Sequence, residues 1–571
     1  MSKFYYNEEQ NSYDAIVVGS GISGGWAAKE LCEAGLKTLV LERGRMVKHI
    51  EDYPTANKDD WDFPHNGQLP REVAARQHKQ ARTGYTVRAQ HNFWFVDDID
   101  HPYNEIKRFD WMRGYHVGGR SIMWGRHSYR WSEMDFEANK ADGHGVDWPV
   151  RYKDIAPWYD KVEAYIGVTG EPLGLPQLPD GIFEPMMELN CLEQHVREQL
   201  MEQYDGQRIM TAGRVAHINS DKNFEGRTRC QYRNRCIRGC PFGGYFSSNS
   251  STLPAAERTG NLTLRPDSIV HEVLYDPDTG KATGVKVIDR ETKETFEFKA
   301  KVIFLCASAI ASTSILMQSK SDRFPNGMGN DSDQLGRNIM DHHLNVGASG
   351  KFDGFDDKFY KGRKPNGIYL PRFRNLGGDT NMPGFLRGYG YQGGASRGNW
   401  EEVISELSHG KDLKEAILKP GGWTFGMGGF GEMLPYEDNR MTLDYDQKDA
   451  WGLPTVTFDA EYKENELNMR EDMMNQAAEM LEKAGLRDVT PFNGNSAPGL
   501  GIHEMGTARM GRDPKTSVLN GFNQVHTVPN VFVTDGAFMT SASCVNPSLT
   551  YMAFTARAAN HAVAELKKGN I

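Results

Sequence analysis

A chain of 571 residues with 39% hydrophobic and 25% charged residues is long enough to enclose a deep core, and its composition is that of an ordinary globular protein. The formal net charge of −10 and the lack of any Lys/Arg block argue against a nucleic-acid partner. No stretch of roughly eighteen or more apolar residues marks a membrane-spanning helix.

The N-terminus, MSKFYYNEEQNSYDAI, carries neither a basic-then-apolar leader nor a twin arginine, which by itself reads as cytoplasmic. A protein exported together with a signal-bearing partner would begin in the same way. From Tyr13 to Gly44 the pattern is strand, glycine turn, helix, strand. Asp14 to Gly19 is a short apolar run, Gly24 to Ala34 has helical spacing, and Lys37 to Glu42 is a second buried strand.

Residues 263–307 read as antiparallel strands. Ser268 to Tyr275 and Ala282 to Asp289 flank the turn Asp276-Pro-Asp-Thr-Gly280, and Thr295 to Leu305 feeds a helix near Ser308. The aromatic- and glycine-rich stretch from about 346 to 460 has weak periodicity and suggests a sheet with loops over a pocket. Glu464 to Ala484 reads as an amphipathic helix ended by Gly485. Val531 to Asp535 is a short strand, and Ser548 to Leu566 a long apolar helix. Pro547 lies in the first turn of that helix, and Asn546 is a candidate cap.

Three clusters carry chemistry. Gly19-Ser20-Gly21-Ile22-Ser23-Gly24 follows a strand and opens a helix, the arrangement that lets backbone N–H groups approach a pyrophosphate. Glu42 ends the next strand, where it can accept hydrogen bonds from ribose hydroxyls. The turn serves NAD and FAD equally. Cys230, Cys236 and Cys240, spaced C-x5-C-x3-C and followed by Pro241, can converge on a soft metal centre. Zinc would need a fourth ligand, for which His217 is the nearest upstream residue, and free or disulfide-bonded thiols are the remaining reading. The loop's four arginines are placed to offset the charge of a sulfide cluster. Near the C-terminus, His503 lies in a glycine-rich stretch and Asn546 precedes Pro547. A histidine can take a hydroxyl proton near neutral pH, and a carboxamide can hold the same oxygen. The bland readings are a buried histidine and a helix cap. His342 and His343 read chiefly as packing, as do Cys32, Cys306 and Cys544, while His116 is a weaker candidate for the cofactor's surroundings.

The glycine turn, Gly118-Gly119-Arg-Ser121, Val302 to Ala307, Leu335-Gly-Arg-Asn338, His503…Gly506-Thr507, Asp535-Gly536 and Asn546-Pro547 run in order over nearly the whole chain. Together they resemble the glucose–methanol–choline (GMC) oxidoreductase family. The resemblance implies an α/β composite fold: a Rossmann-like FAD-binding domain from residues 1–165, 225–345 and 495–571, and a substrate-binding domain with an antiparallel sheet from 166–224 and 346–494. It implies that His503 and Asn546 are the catalytic pair, and that Gly118, Gly119, Ser121, Asp535 and Gly536 pack along FAD with Gly19, Gly21, Gly24 and Glu42. Met123 stands where several relatives attach FAD covalently through a histidine, so FAD is expected to be dissociable.

The cysteine spacing, with Asp147-Trp148-Pro149 and the segment that follows, is similar to the bacterial FAD/iron–sulfur sugar dehydrogenase catalytic subunits of the gluconate, fructose and glucoside 3-dehydrogenase type. That subgroup implies a 3Fe-4S or 4Fe-4S cluster on Cys230, Cys236 and Cys240. It also implies a sugar or glycoside substrate, a small partner subunit, a cytochrome c-type acceptor and periplasmic location by co-export. Rivals are an oxidase of the same fold and a non-catalytic nucleotide- or zinc-binding protein.

Overall fold

A computed structural model describes residues 11–84, 86–358, 360, 367–398, 409–418 and 420–571. The reading of residues 1–10, and the parts of the 346–460 reading at 359, 361–366, 399–408 and 419, lie outside the described residues.

The apolar run after Asp14 forms β1 (Ser12–Val18), followed by α1 (Ile22–Glu33) and β2 (Thr38–Leu41). Both strands are buried on both faces, which is why they read as continuous apolar runs without alternation. Next come β3 (Leu262–Arg265), β4 (Ser268–Asp276), β5 (Lys281–Asp289), β6 (Thr295–Leu305) and α2 (Ala309–Gln318). The antiparallel expectation for 263–307 holds for β4 with β5 and for Thr295–Lys299 of β6 against β5. It fails elsewhere. From Lys299 onward β6 pairs in parallel with β1, and β3 pairs in parallel with β2. The second half of β6 is the all-apolar part, Val302 to Leu305, and only the centre of a two-sided parallel sheet buries such a run.

The middle of the chain adds β7 (Val346–Phe352), β8 (Ile368–Leu370), β9 (Tyr389–Arg397), β10 (Trp423–Glu432), α3 (Glu464–Lys483) and β11 (Arg487–Asn493). These strands form an antiparallel sheet ordered β11-β7-β10-β9-β8 and closed by Thr211–Ala212, with His342–His343 pairing at the end of β10. Buried Met469, Met473, Ala477 and Met480 pack α3 onto this sheet. The strands Arg440–Lys448 and Pro454–Asp459 instead join Asn104–Glu105.

The chain then returns to the first sheet with β12 (Gln524–Val525), β13 (Val528–Val533) and α4 (Ser548–Lys568). The order β13-β6-β1-β2-β3 is parallel throughout, with Val18 opposite both Leu305 and Leu41 and Leu305 opposite Val533. The carboxyl ends of four strands therefore deliver Gly19, Glu42, Cys306 and Thr534 to one rim, the place where open parallel sheets bind ligands. Among the described residues no helix is long and apolar enough to cross a membrane.

Candidate active site

The rim opens into a cavity of about 1020 Å³ that is lined from the glycine turn to His503 and Asn546. Gly19 has φ +95°, and a Cβ there would stand 2.5 Å from the Cys306 carbonyl oxygen; one on Gly24 would stand 1.9 Å from the Gly19 carbonyl oxygen. Strand, turn and helix close together only because both are glycine. At Gly21 a Cβ would meet nothing within 4 Å, so the turn leaves open space before the first helical N–H groups. No side chain caps α1, and its N-terminal dipole favours an anion there.

Glu42 is buried and accepts from the Ser20 N–H (3.1 Å), the Ser20 hydroxyl (2.6 Å) and the Gly44 N–H (2.9 Å). Burial raises its pKa, while those donors act in the opposite direction. A carboxylate has about four acceptor positions, so a ribose hydroxyl can still be bound. Ser20 Oγ accepts from the Gly118 N–H at 2.9 Å, Ser121 Oγ accepts from the Ser248 N–H at 3.0 Å, and the Ser248 hydroxyl donates to the Gly21 carbonyl at 2.8 Å. Gly119 and Ser121 line the cavity; Gly118 and Gly24 lie behind it and serve the turn. Asp535 and Gly536 line it beyond β13, where Asp535 accepts from Ser312 Oγ at 2.5 Å and burial raises its pKa to about 6. The open cradle at Gly21, the carboxylate of Glu42 and a cavity of this size fit FAD.

At the other end of the cavity, His503 ends a loop that Asp341 holds from behind. Asp341 Oδ2 accepts the N–H groups of Gly499 and Gly501, both at 2.8 Å, and Oδ1 accepts the His503 N–H at 3.1 Å. Burial, with the nearby charge of Glu504, raises the Asp341 pKa to about 7. Glu504 itself is paired with Arg120 at 2.9 and 3.1 Å. Between Gly501 and His503, Ile502 has φ +57°, a left-handed conformation that a β-branched residue adopts only under constraint.

His503 Nδ1 lies 2.8 Å from His342 Nδ1, while His342 Nε2 faces the carbonyl oxygens of Ser543 (2.9 Å) and Ala542 (3.2 Å). Two carbonyls require a proton on His342 Nε2. A neutral His342 then presents a lone pair at Nδ1, so His503 carries its proton on Nδ1 and a bare Nε2. Both histidines stay neutral near pH 7. Burial lowers the His342 pKa to about 4, and burial together with His342, Arg120 and His127 holds that of His503 well below the usual value. Asn546 Nδ2 lies 3.5 Å from His503 Nε2, and Asn546 Oδ1 accepts from Gln392 Nε2 at 2.6 Å. Asn546 is not the cap of α4: the capping position is Pro547, and no side chain caps that helix.

His342 thus belongs to the site, whereas His343 is buried with neither ring nitrogen bonded among the described residues. His116 does not line the cavity; it packs 5.0 Å from the Trp94 ring. Cys32, Cys306 and Cys544 are buried, as read from the sequence, and Cys306 also reaches the cavity wall. Met123 and Trp124 line the cavity. Sequence reasoning missed the parts of Asp341, His342 and Gln392. His342 was read from the sequence chiefly as packing, Asp341 was given no role, and nothing in a glycine-rich strand singled out Gln392.

Cys230, Cys236 and Cys240 are free, half-buried thiols. Burial raises the Cys230 pKa to about 11, and the two neighbouring thiols add to this. Cys236 lines the same cavity as His503, and the Tyr245 hydroxyl donates to the carbonyls of Cys236 (3.0 Å) and Ile122. The loop's arginines mostly anchor it elsewhere: Arg233 and Arg238 donate to the carbonyls of Ala56 and Lys58, and Arg235 pairs with Asp59. Arg126 is the cation acting most strongly on Cys236. Among the described residues no three His, Cys, Asp or Glu side chains stand together closely enough to hold one metal ion, and His217 does not complete such a set.

A glycine-turn cradle and a histidine–carboxamide pair sharing one cavity define a nucleotide-cofactor oxidoreductase that acts on alcohol groups. The GMC oxidoreductase family model matches residues 13–344 and 435–555, and the chain belongs to that family. A 2-methyl-1,2-propanediol dehydrogenase of Mycolicibacterium austroafricanum is 30% identical over 96% of this chain and 94% of its own length. The fructose dehydrogenase large subunit of Gluconobacter japonicus is 25% identical over 99% of this chain and 100% of its own. Among solved structures, a formate oxidase variant of Aspergillus oryzae RIB40 superposes with a TM-score of 0.62, covering 99% of this chain and 100% of that one. At 14% identity this last likeness concerns the fold alone.

Proposed function

We propose that the protein is an FAD-dependent dehydrogenase that oxidises a hydroxyl of a sugar, glycoside or related polyol. One observation carries this reading: His503, locked with a bare Nε2, stands beside Asn546 on the cavity that begins at the glycine turn. Bound FAD supplies the acceptor for the hydride. His503 Nε2 takes the hydroxyl proton, and Asn546 Nδ2 donates to the same oxygen and holds the carbon in line for transfer. Gly19 to Ser23 would hold the pyrophosphate, Glu42 the ribose, and Asp535 and Gly536 the adjoining chain. Met123 offers no nucleophile, so FAD is held without a covalent bond. The two sheets support a division into an FAD-binding part and a substrate-binding part close to the boundaries expected from the sequence. The segment 440–459 is set apart because it joins Asn104–Glu105.

The relatives' names speak of fructose, gluconate and a diol as substrates, which favours a polyhydroxylated compound. Within that class the preferred assignment is a glucoside oxidised at its 3-hydroxyl, with gluconate- or fructose-type activity as the alternative. A small subunit, a cytochrome c-type acceptor and a periplasmic site of action reached by co-export accompany this assignment. We further assign an iron–sulfur cluster to Cys230, Cys236 and Cys240, on the ground of their spacing within one loop and of Cys236 reaching the wall of the same cavity; the chemistry at His503 is derived without it. Iron and acid-labile sulfide assays on the wild type and Cys236→Ser test that assignment.

The test of the function is anaerobic mixing with D-glucose, methyl β-D-glucoside, D-gluconate and D-fructose while flavin absorbance is followed. Bleaching by at least one of them is expected, with slow recovery on admitting air. Fast recovery identifies an oxidase. No bleaching by any of them overturns the reading.

A further inference from the structure

Gln392 sits in the middle of β9, in a sheet that carries neither His503 nor Asn546, yet its side chain lines their cavity. One of its amide N–H bonds is committed to Asn546 Oδ1 at 2.6 Å. Among the described residues no protein group bonds its Oε1, and the side chain is only half-buried. Along this wall the polar groups run in sequence: an acceptor at His503 Nε2, a donor at Asn546 Nδ2, then the Gln392 carboxamide with an acceptor and a donor to spare.

The first two groups meet on the oxygen that loses its proton. A hydroxyl on the adjacent carbon falls next along the wall, against Gln392. We propose that Gln392 is a specificity-determining residue that recognises this second hydroxyl, so that the substrate class is the vicinal diol, in a polyol or in a sugar ring. The inference rests on the reading of His503 and Asn546 given above and adds to it the element of the substrate that is read.

The surroundings suit that task. Gly393 and Gly394 follow Gln392 on the strand, and Gly394 lies opposite Gly426 on β10. A Cβ on Gly426 would meet only Ser349 Cβ, at 3.7 Å, so the wall is kept low where substituents on the second carbon would extend. The charged and titratable groups around the pair already have partners: His342 bonds His503, Arg120 pairs with Glu504, and His127 bonds the Tyr129 hydroxyl. That leaves Gln392 as the amide side chain beside Asn546. A monohydric alcohol in this site would strip water from Gln392 Oε1 and give nothing back, a loss that makes discrimination by hydrogen bonding effective.

The experiment compares kcat/KM for 1,2-propanediol and 1-propanol with the holoenzyme and a dye acceptor, for the wild type, Gln392→Leu and Gln392→Glu. The wild type is expected to favour the diol by about tenfold or more, the worth of one such hydrogen bond. Gln392→Leu is expected to bring the ratio toward one, with the diol KM rising. Both rates also fall as Asn546 loses its tether, but that common loss cancels in the ratio. Gln392→Glu keeps an acceptor and loses the donor to Asn546, so it retains the diol preference while both rates drop. An unchanged ratio in Gln392→Leu overturns the inference. So does a wild type without diol preference, or one that turns over D-glucose or D-fructose but not the diol. A protein that oxidises none of these compounds instead sinks the alcohol-oxidation reading itself.

Discussion

The part assigned to His342 is the sharpest quantitative commitment of the site. Its Nδ1 accepts the His503 Nδ1–H at 2.8 Å, and this bond selects the tautomer whose Nε2 can act as base. A buried hydrogen bond between neutral groups is worth about 1 kcal/mol net, and leaving the donor buried and unpaired costs about 1–3 kcal/mol. His342→Leu removes the acceptor, so the competent tautomer loses its preference and the alternative gains by the second amount. Since 1.4 kcal/mol is tenfold, kcat/KM should fall about ten- to hundredfold. His342→Gln keeps an acceptor toward His503 and a donor toward the Ser543 carbonyl, and should recover most of that loss. Steady-state kinetics over a pH series, with FAD content checked by absorbance, reads both variants. A His342→Leu enzyme within twofold of wild type, or a His342→Gln enzyme no better than the leucine variant, refutes the tautomer argument.

His503→Ala should retain FAD while kcat drops about 10²–10⁴-fold, the contribution of a positioned general base; an unchanged kcat removes His503 from the proton transfer. Asp341→Asn places an NH2 where a carboxylate oxygen now accepts one or two backbone N–H groups, and should destabilise the protein by about 1–3 kcal/mol in denaturant unfolding, with loss of activity. His116 has a folded pKa of about 4 against the usual 6.5, so the folded state binds fewer protons than the unfolded chain between these values, and its stabilising neutrality is lost as pH falls. His116→Leu should therefore gain on the wild type by up to about 1.4 kcal/mol per pH unit as pH drops from 6.5 toward 4; a difference that stays constant with pH contradicts this.

The first sheet was largely legible because its strands are buried on both faces and print as bare apolar runs, with Gly19 to Gly24 punctuating them. What the sequence concealed was pairing. Nothing local tells Val302 to Leu305 to leave β5 and join β1, since parallel partners are chosen by the tertiary layout. The second sheet was hard to read for another reason. In Trp423-Thr-Phe-Gly-Met-Gly-Gly-Phe-Gly-Glu the inward positions Trp423, Phe425 and Met427 alternate as a strand should, but glycines take several places where polar residues would mark the outer face. Gly426 is left small at the cavity, and so function blurs the signal of structure. The proposed His503–Asn546 pair was legible as residue types in a family order. Its partners were not, because Asp341, His342 and Gln392 lie 154 to 162 residues along the chain from the member of the pair they bond and are identified only by which atom they face.

These partners also explain why the pair can be held on strained loops. Ile502 and Ser543, one on the loop of His503 and one on the loop of Asn546, both sit at positive φ (+57° and +55°), a conformation that costs of the order of 1–3 kcal/mol where it is not natural to the residue. Each loop is restrained by groups outside it. Asp341 gathers three backbone N–H groups around Ile502, and His342 donates to the carbonyls of Ala542 and Ser543 just ahead of Asn546. The same imidazole reaches His503 through its other nitrogen. One side chain therefore ties the loop bearing the base to the loop bearing the carboxamide, and any change in their separation must stretch a bond to His342. The strain is tolerated because the residues that oppose it are the ones that fix the protonation and spacing on which the proposed proton transfer depends.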